Sequence, residues 1–238
     1  MYIKLLHNKL RRKVDMKVAL IGLDGSGKSA NITKLKEDKD FRNFYFIWSR
    51  WKPTLLRPAY AILNKKMGSK SDNCTESQLG KEYNNKKVIK NKLFKNSIIR
   101  GIWMFIALID YFFQFHAKTY KLTVKKKNII FDRFYLDLFI DQGINFSYTP
   151  QKIAKLIKRK SYLFPKINKT IYIHVKPEVC LSRKDDIPNM DYLNRRYIIY
   201  EYLSKEFKWI VVNGEEDFSE VNRSIKRLIL EDLGDVKK

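Results

Sequence analysis

Short apolar runs alternate with longer stretches of helical spacing along this chain. Lys17–Ile21 is an apolar run that ends at Gly22, and Phe44–Trp48, Asn128–Phe131, Thr170–Val175 and Trp209–Val212 repeat the form. Runs of this length between turn residues read as buried strands. Between them, apolar positions recur at three- and four-residue steps. This spacing predicts helices over Lys28–Asp38, 96–126, Gln151–Lys160, 190–207 and 219–233, with a further helix opened by Pro177. Thr149 before Pro150 supplies an N-cap followed by proline at the first helical position. In the long helix, Ile99, Trp103, Ile106, Asp110 and Phe113 are expected on one face, with Gly101 as a point where it could break. Strands alternating with helices imply a parallel sheet with helices on both faces, an α/β fold.

Two stretches fall outside this rhythm. Residues 64–92 are rich in Asn, Lys and Ser with little apolar periodicity, and read as a mobile insertion. Residues 1–15 form a basic arm ahead of a domain over 16–238. In the arm, Ile3, Leu6 and Leu10 share a helical face opposite Lys4, Lys9, Arg11 and Arg12, and Met16 is an alternative start. The apolar run 101–115 is shorter than the roughly 20 residues of a bilayer span and contains Asp110 and Gln114, so it reads as a core helix.

Charge changes the picture. Forty-nine Lys and Arg against twenty-five Asp and Glu give a net charge of +24. Such a field attracts nucleotides, phosphorylated substrates, nucleic acid or an anionic membrane, and part of it is solvated surface. The two cysteines and three histidines show no disulfide or zinc spacing, which suits a reducing cytoplasm, and no signal peptide is visible.

The candidate chemistry is concentrated in Gly22-Leu-Asp24-Gly25-Ser26-Gly27-Lys28-Ser29, followed by Ala30. It matches GxxxxGK[ST], follows a strand and precedes a helix. Glycines allow the backbone amides to approach phosphate oxygens, and the helix directs its positive end at them. Lys28 reaches the β- and γ-phosphates, and the Ser29 hydroxyl coordinates Mg2+. The fold class is therefore a P-loop NTPase three-layer sandwich with a five-stranded parallel sheet, and its cofactors are ATP and Mg2+. The strand Asn128–Phe131 delivers Asp132 to the carboxyl edge of the sheet, where ligands of open α/β sheets bind. There Asp132 can join the magnesium shell or take the proton of an attacking oxygen. Arg133 can clamp a phosphate bidentately.

Asp24 within the loop, with Asp132-Arg133-Phe134 after the third strand, resembles thymidylate kinase. Tyr172-Ile-His-Val-Lys-Pro177-Glu-Val and Leu181-Ser-Arg183-Lys184 continue the likeness, which covers 16–48 and 97–233. The resemblance implies transfer of the γ-phosphoryl of ATP to dTMP. It places Asp24 at the acceptor's sugar hydroxyl, Arg133 at its phosphate and Arg183 as the lid arginine at the transferring group, with Arg195 and Arg196 as rivals. Arg50, Asp110 and Gln142 would be the remaining acceptor contacts, and Trp48, Trp51, Tyr60 and Phe105 are aromatics that could stack on a base.

The chain departs from that family at Trp48-Ser49-Arg50-Trp51, and at Tyr111 where an arginine is expected after Asp110. These features resemble a variant branch found among surface-polysaccharide genes. They keep open a kinase of the same fold acting on a sugar or lipid-linked glycan. A nucleotide-dependent nucleic-acid-binding protein is a third reading, with only the charge behind it. The expected partners are a nucleotide donor and a phosphorylated small acceptor, a second copy of the chain, and an anionic membrane touched by the arm.

Overall fold

β1 (Lys17–Gly22) is buried along its whole length, as a strand flanked on both sides and covered on both faces must be. Its neighbours are β3 (Asn128–Asp132) and β4 (Lys169–His174), and the edges are β2 (Phe44–Trp48) and β5 (Ile210–Asn213). The order is β2-β3-β1-β4-β5, and every pairing is parallel. The register sets Asp132 beside Leu20 on one side and Trp48 on the other, so the ends of β2 and β3 lie level next to the exit of β1. The computed structural model describes residues 15–58, 61 and 76–234; the basic arm and Tyr60 lie outside them.

Helices α1 (Lys28–Glu37), α2 (Glu76–Leu93), α3 (Ser97–Val124), α4 (Tyr135–Asn145), α5 (Pro150–Lys160), α6 (Pro177–Ser182), α7 (Met190–Glu206) and α8 (Phe218–Gly234) surround the sheet. The five strands and the helices α1, α3, α5, α7 and α8 fall within about two residues of their expected bounds, the ordinary uncertainty of an element's end. The Thr149 hydroxyl accepts from the Lys152 amide, so that cap forms as read.

Two helices differ from expectation. The expected mobile insertion contains α2, which is anchored by long-range contacts. The Tyr83 and Tyr192 rings meet edge-on at 5.6 Å, and Lys87 pairs with Asp191 at 2.9 Å. Phe94, just beyond α2, packs against Trp103 and Phe146. The second is α4, whose residues Tyr135–Ile140 are buried without a break. Its polar stripe, Asp137, Asp141 and Asn145 at four-residue steps, points into the protein, where Asp137 meets Arg133 and Tyr200.

The long helix α3 runs unbroken through Gly101, capped by Asn96, whose side chain accepts from the Ile98 amide at 2.8 Å. Its inward side carries Trp103, Ala107, Asp110, Tyr111 and Phe115. Phe113, expected on that side, is 66% exposed, together with Ile98, Ile102 and Phe105. The helix is long and apolar enough to cross a membrane, but its inward side is tied to the domain through Asp110. Gly101 is exposed, and a Cβ there would meet nothing within 4 Å. Gly101→Ala should raise unfolding free energy by about 0.5–1 kcal/mol, read by urea titration, because alanine loses less backbone freedom in a helix.

Candidate phosphotransfer site

The loop between β1 and α1 wraps around a lysine. Lys28 Nζ donates to the carbonyls of Gly22 at 2.9 Å and Leu23 at 2.5 Å, and to Ser26 Oγ at 3.2 Å. Gly25 and Gly27 sit at φ near +86° and +85°, where L side chains are rarely found. A Cβ at Gly25 would also lie 2.4 Å from the Cys180 carbonyl oxygen. Burial, reinforced by the Arg133 cation, pulls Lys28 down from 10.5 to about 8 against the opposing pull of Asp24, Asp137 and Asp132. Behind the loop, Asn222 donates to Asn31 Oδ1 at 3.1 Å and to its carbonyl at 3.2 Å, bracing α1 against α8. Ala30 lies exposed in the first turn of α1.

Ser29 and Asp132 meet as their positions suggest: Ser29 Oγ donates to Asp132 Oδ2 at 3.2 Å. The other carboxylate oxygen, Oδ1, is buried with no hydrogen-bond partner. A free carboxylate oxygen beside a hydroxyl at the phosphate loop fits Mg2+, which uses one or two protein oxygens and completes its shell with water and phosphate. Among the described residues no cluster of three or more His, Cys, Asp or Glu side chains forms, so a dedicated all-protein cage is not what this site offers.

Arg133 is the hub of the side facing the loop. Its own φ is +66°, in the left-handed region, and its guanidinium bonds to Asp24 and, at 2.7 Å, to Asp137. Asp24 also accepts from the Tyr192 hydroxyl at 2.6 Å, and Asp137 from Tyr200 at 2.6 Å. Burial alone would raise the Asp24 carboxyl; Arg133, Lys28, the Tyr192 hydroxyl and Arg50 outweigh it and hold it far below the carboxylate range. Arg196 stacks over the Tyr192 ring at 3.7 Å and bonds Asp141 at 2.5 Å, and Arg50 approaches the same Asp141 at 4.0 Å. Sequence reasoning did not single out Asp137, Asp141 or Tyr192. Their only local signal is the i,i+4 spacing of the two aspartates and the spacing of Asp137 from Arg133.

These groups border a cleft of about 360 Å³. Asp24, Ser29 and Arg133 form its base, Trp48 and Arg50 one wall, and the segment Lys184–Pro188 with Tyr192 the other. A smaller cavity of about 250 Å³ lies on the far side of the loop, against Ser26, Gly27, Asn31, Gly214 and Glu216.

Three expected site residues stand elsewhere. Arg183 lines that smaller cavity and donates to the Gly214 carbonyl at 2.9 Å, while its neighbour Lys184 borders the main cleft. Asp110 is buried and occupied by Trp51 Nε1, the Thr54 amide and hydroxyl, and Gln114; it fastens the segment after β2 to α3. Gln142 is buried too and accepts from Trp103 Nε1 at 3.0 Å. Neither side chain borders the cleft. Among the described aromatic candidates Trp48 alone does; Trp51 serves Asp110, and Phe105 is exposed on α3.

Solved structures of deoxyadenosine kinase from M. mycoides are similar to this chain. One, with products dCMP and a flexible dCDP bound, is 18% identical with a TM-score of 0.52, over 91% of this chain and all of that one. A second, with bound dATP, is 16% identical with a TM-score of 0.52, over 89% and 98%. The chain has the P-loop NTPase fold. At such identity the likeness of these P-loop proteins is one of fold. A third structure, with bound dCTP, matches at 18% identity and a TM-score of 0.50. No family model matches the chain, and no curated protein matches it.

Proposed function

We propose that this P-loop protein is an ATP- and Mg2+-dependent kinase whose acceptor is already phosphorylated, a nucleoside monophosphate of the dTMP type. The observation that carries the reading is the character of the cleft walls. β2 runs out into Ser49 and Arg50, and Arg50 faces Lys184 across the base formed by Asp24, Ser29 and Arg133. A sugar hydroxyl must lose a proton as it attacks, and needs a base; a phosphate acceptor is already anionic and needs cations to hold it near another anion. This cleft supplies Arg50, 4.0 Å from Asp141, and Lys184, 2.9 Å from Asp186, as cations an acceptor phosphate can draw on, and Asp24 is pinned ionised by its partners.

In this reading Lys28 draws the β- and γ-phosphates into the loop, whose amides and helix end take up their charge. Ser29 and Asp132 would hold Mg2+, which supplies charge neutralisation between the phosphates. Arg50 and Lys184 hold the acceptor phosphate, and Arg133 keeps Asp24 placed for the acceptor's sugar. Transfer is then a matter of alignment and electrostatic stabilisation.

A second reading, a non-nucleotide acceptor such as a sugar phosphate, has one observation in its favour. The side chains expected to read a base, Asp110 and Gln142, are spent inside the protein. One panel separates the two: ATP and Mg2+ with dTMP, other nucleoside monophosphates, free nucleosides and sugar phosphates. Turnover on a nucleoside monophosphate, lost in Asp132→Ala, supports the first. Turnover on free nucleosides alone sinks both, because each requires a phosphorylated acceptor.

Lys28 provides a further check. A bound triphosphate favours the charged lysine, so its pKa rises on binding. ATP binding one pH unit above 8 should therefore take up a proton, and affinity should fall as pH rises through that value. Calorimetry in buffers of different ionisation heat reads this directly, and Lys28→Met should abolish it. The exposed stripe of Ile98, Ile102 and Phe105 fits pairing of two copies along α3. Phe105→Glu should then convert a dimer to a monomer in light scattering.

A further inference from the structure

The positive charge is unevenly placed. At the carboxyl ends of the strands, cations come with acidic partners: Arg133 with Asp24 and Asp137, Arg196 with Asp141, and Lys184 with Asp186. At the opposite end, where the strands begin, Asp15 pairs with Lys17, Asp38 and Asp40 with Lys226, and Glu206 with Lys158, yet further cations stand there beyond these pairs. Arg42 precedes β2, Lys125–Lys127 precede β3, Lys166 precedes β4 and Lys208 precedes β5. Arg42, Lys125, Lys126, Lys166 and Lys208 are exposed and have no acidic partner among the described residues. The chain also enters β1 at this end, so the basic sequence of residues 1–14 joins it here.

Helix dipoles explain part of this pattern. Each helix running back along the sheet ends here, and a cation in its last turn, such as Lys158 to Lys160 of α5, offsets the partial negative charge. Lys126 and Lys208 close α3 and α7 in the same way, their amides bonded to the last-turn carbonyls of Thr123 and Lys205, whereas Lys166 stands away from any helix end.

The same end carries a cleft of about 770 Å³. Ile157, Phe164, Phe207 and Trp209 give it an apolar lining, with the Phe207 and Trp209 rings stacked at 6.0 Å. Lys158, Lys166 and Lys208 also line it, and Tyr162 at its edge is 75% exposed. Cations around an apolar recess match a lipid interface, where headgroups are anionic and the layer below is greasy. Duplex nucleic acid offers the anions without the apolar layer.

We infer that the end of the domain opposite the P-loop docks on an anionic phospholipid bilayer. In that orientation the phosphotransfer cleft faces away from the lipid, into solution. The test pellets the full chain with vesicles of phosphatidylcholine alone and with about a third phosphatidylglycerol. Only the anionic vesicles should retain it, and added salt should release it. A Lys126→Gln/Lys166→Gln/Lys208→Gln variant should keep its melting temperature and lose about a hundredfold in vesicle affinity, since each cation near the surface carries roughly a factor of five. Equal retention on both vesicle types, or a triple variant that binds like the parent, would overturn the inference. So would duplex DNA that displaces the protein from vesicles at equal phosphate concentration, which would give this surface to nucleic acid.

Discussion

Arg133→Met should destabilise the fold by about 3–5 kcal/mol, the cost of stranding buried charges without their partner. The arginine, Asp24 and Asp137 retain 14%, 12% and 5% of their side-chain exposure, so solvent cannot take over the missing interaction. The two carboxylates would then be left with Lys28, the more distant Arg50 and the Tyr192 and Tyr200 hydroxyls. Urea unfolding at neutral pH reads the loss. Its pH dependence tests the cause. In the parent, Asp24 titrates far below the unfolded value of 3.8, so its contribution is present above that pH and disappears in acid. Without Arg133, burial raises the carboxyl and protonation favours the folded state. The gap between parent and variant should therefore narrow as pH falls through the acid range. A gap that stays constant to pH values below 3.8 would place the loss in packing or in the left-handed backbone at residue 133.

Lys28→Ala should separate stability from activity in the opposite sense. Phosphoryl transfer should fall by about a hundredfold to a thousandfold, the usual cost of removing one preorganised charge at a developing anion. Unfolding free energy should change little, because the burial that lowers this lysine to about 8 offsets its hydrogen bonds to Gly22, Leu23 and Ser26. Single-turnover assays with saturating ATP measure the first, and thermal unfolding without nucleotide the second. A variant that melts far below the parent would identify Lys28 as a structural strut of the loop.

The phosphate-loop half of the cleft was legible because its signals are local. The loop motif, the strand before it and the helix after it occupy one continuous stretch, and Asp132 follows the same logic at the end of β3. The cleft's far wall was not legible. Tyr192 reaches Asp24 across 168 positions, and no periodicity encodes such a pairing. Asp110 and Gln142 mislead for a related reason: a polar residue in an apolar helix signals a buried role, but its neighbours decide whether that role is substrate or scaffold. Here Trp51, Thr54 and Trp103 decide for scaffold. Helix α2 escaped because its polar sequence carries little apolar periodicity, and it holds through Tyr83, Lys87 and the following Phe94.

The close approach of Gly25 to the Cys180 carbonyl reaches beyond the loop itself. With no room for a side chain between them, the phosphate loop and α6 pack in direct contact. Arg183 follows α6 and bonds to the Gly214 carbonyl. Tyr192 and Arg196, by contrast, ride on α7. Between α6 and α7 lies the stretch Lys184–Asn189, which has no helix or strand and contains Pro188, so a change in the spacing of the cleft walls would bend the chain there. This short stretch, which is itself a wall of the cleft, would govern how fast ligands enter and leave it.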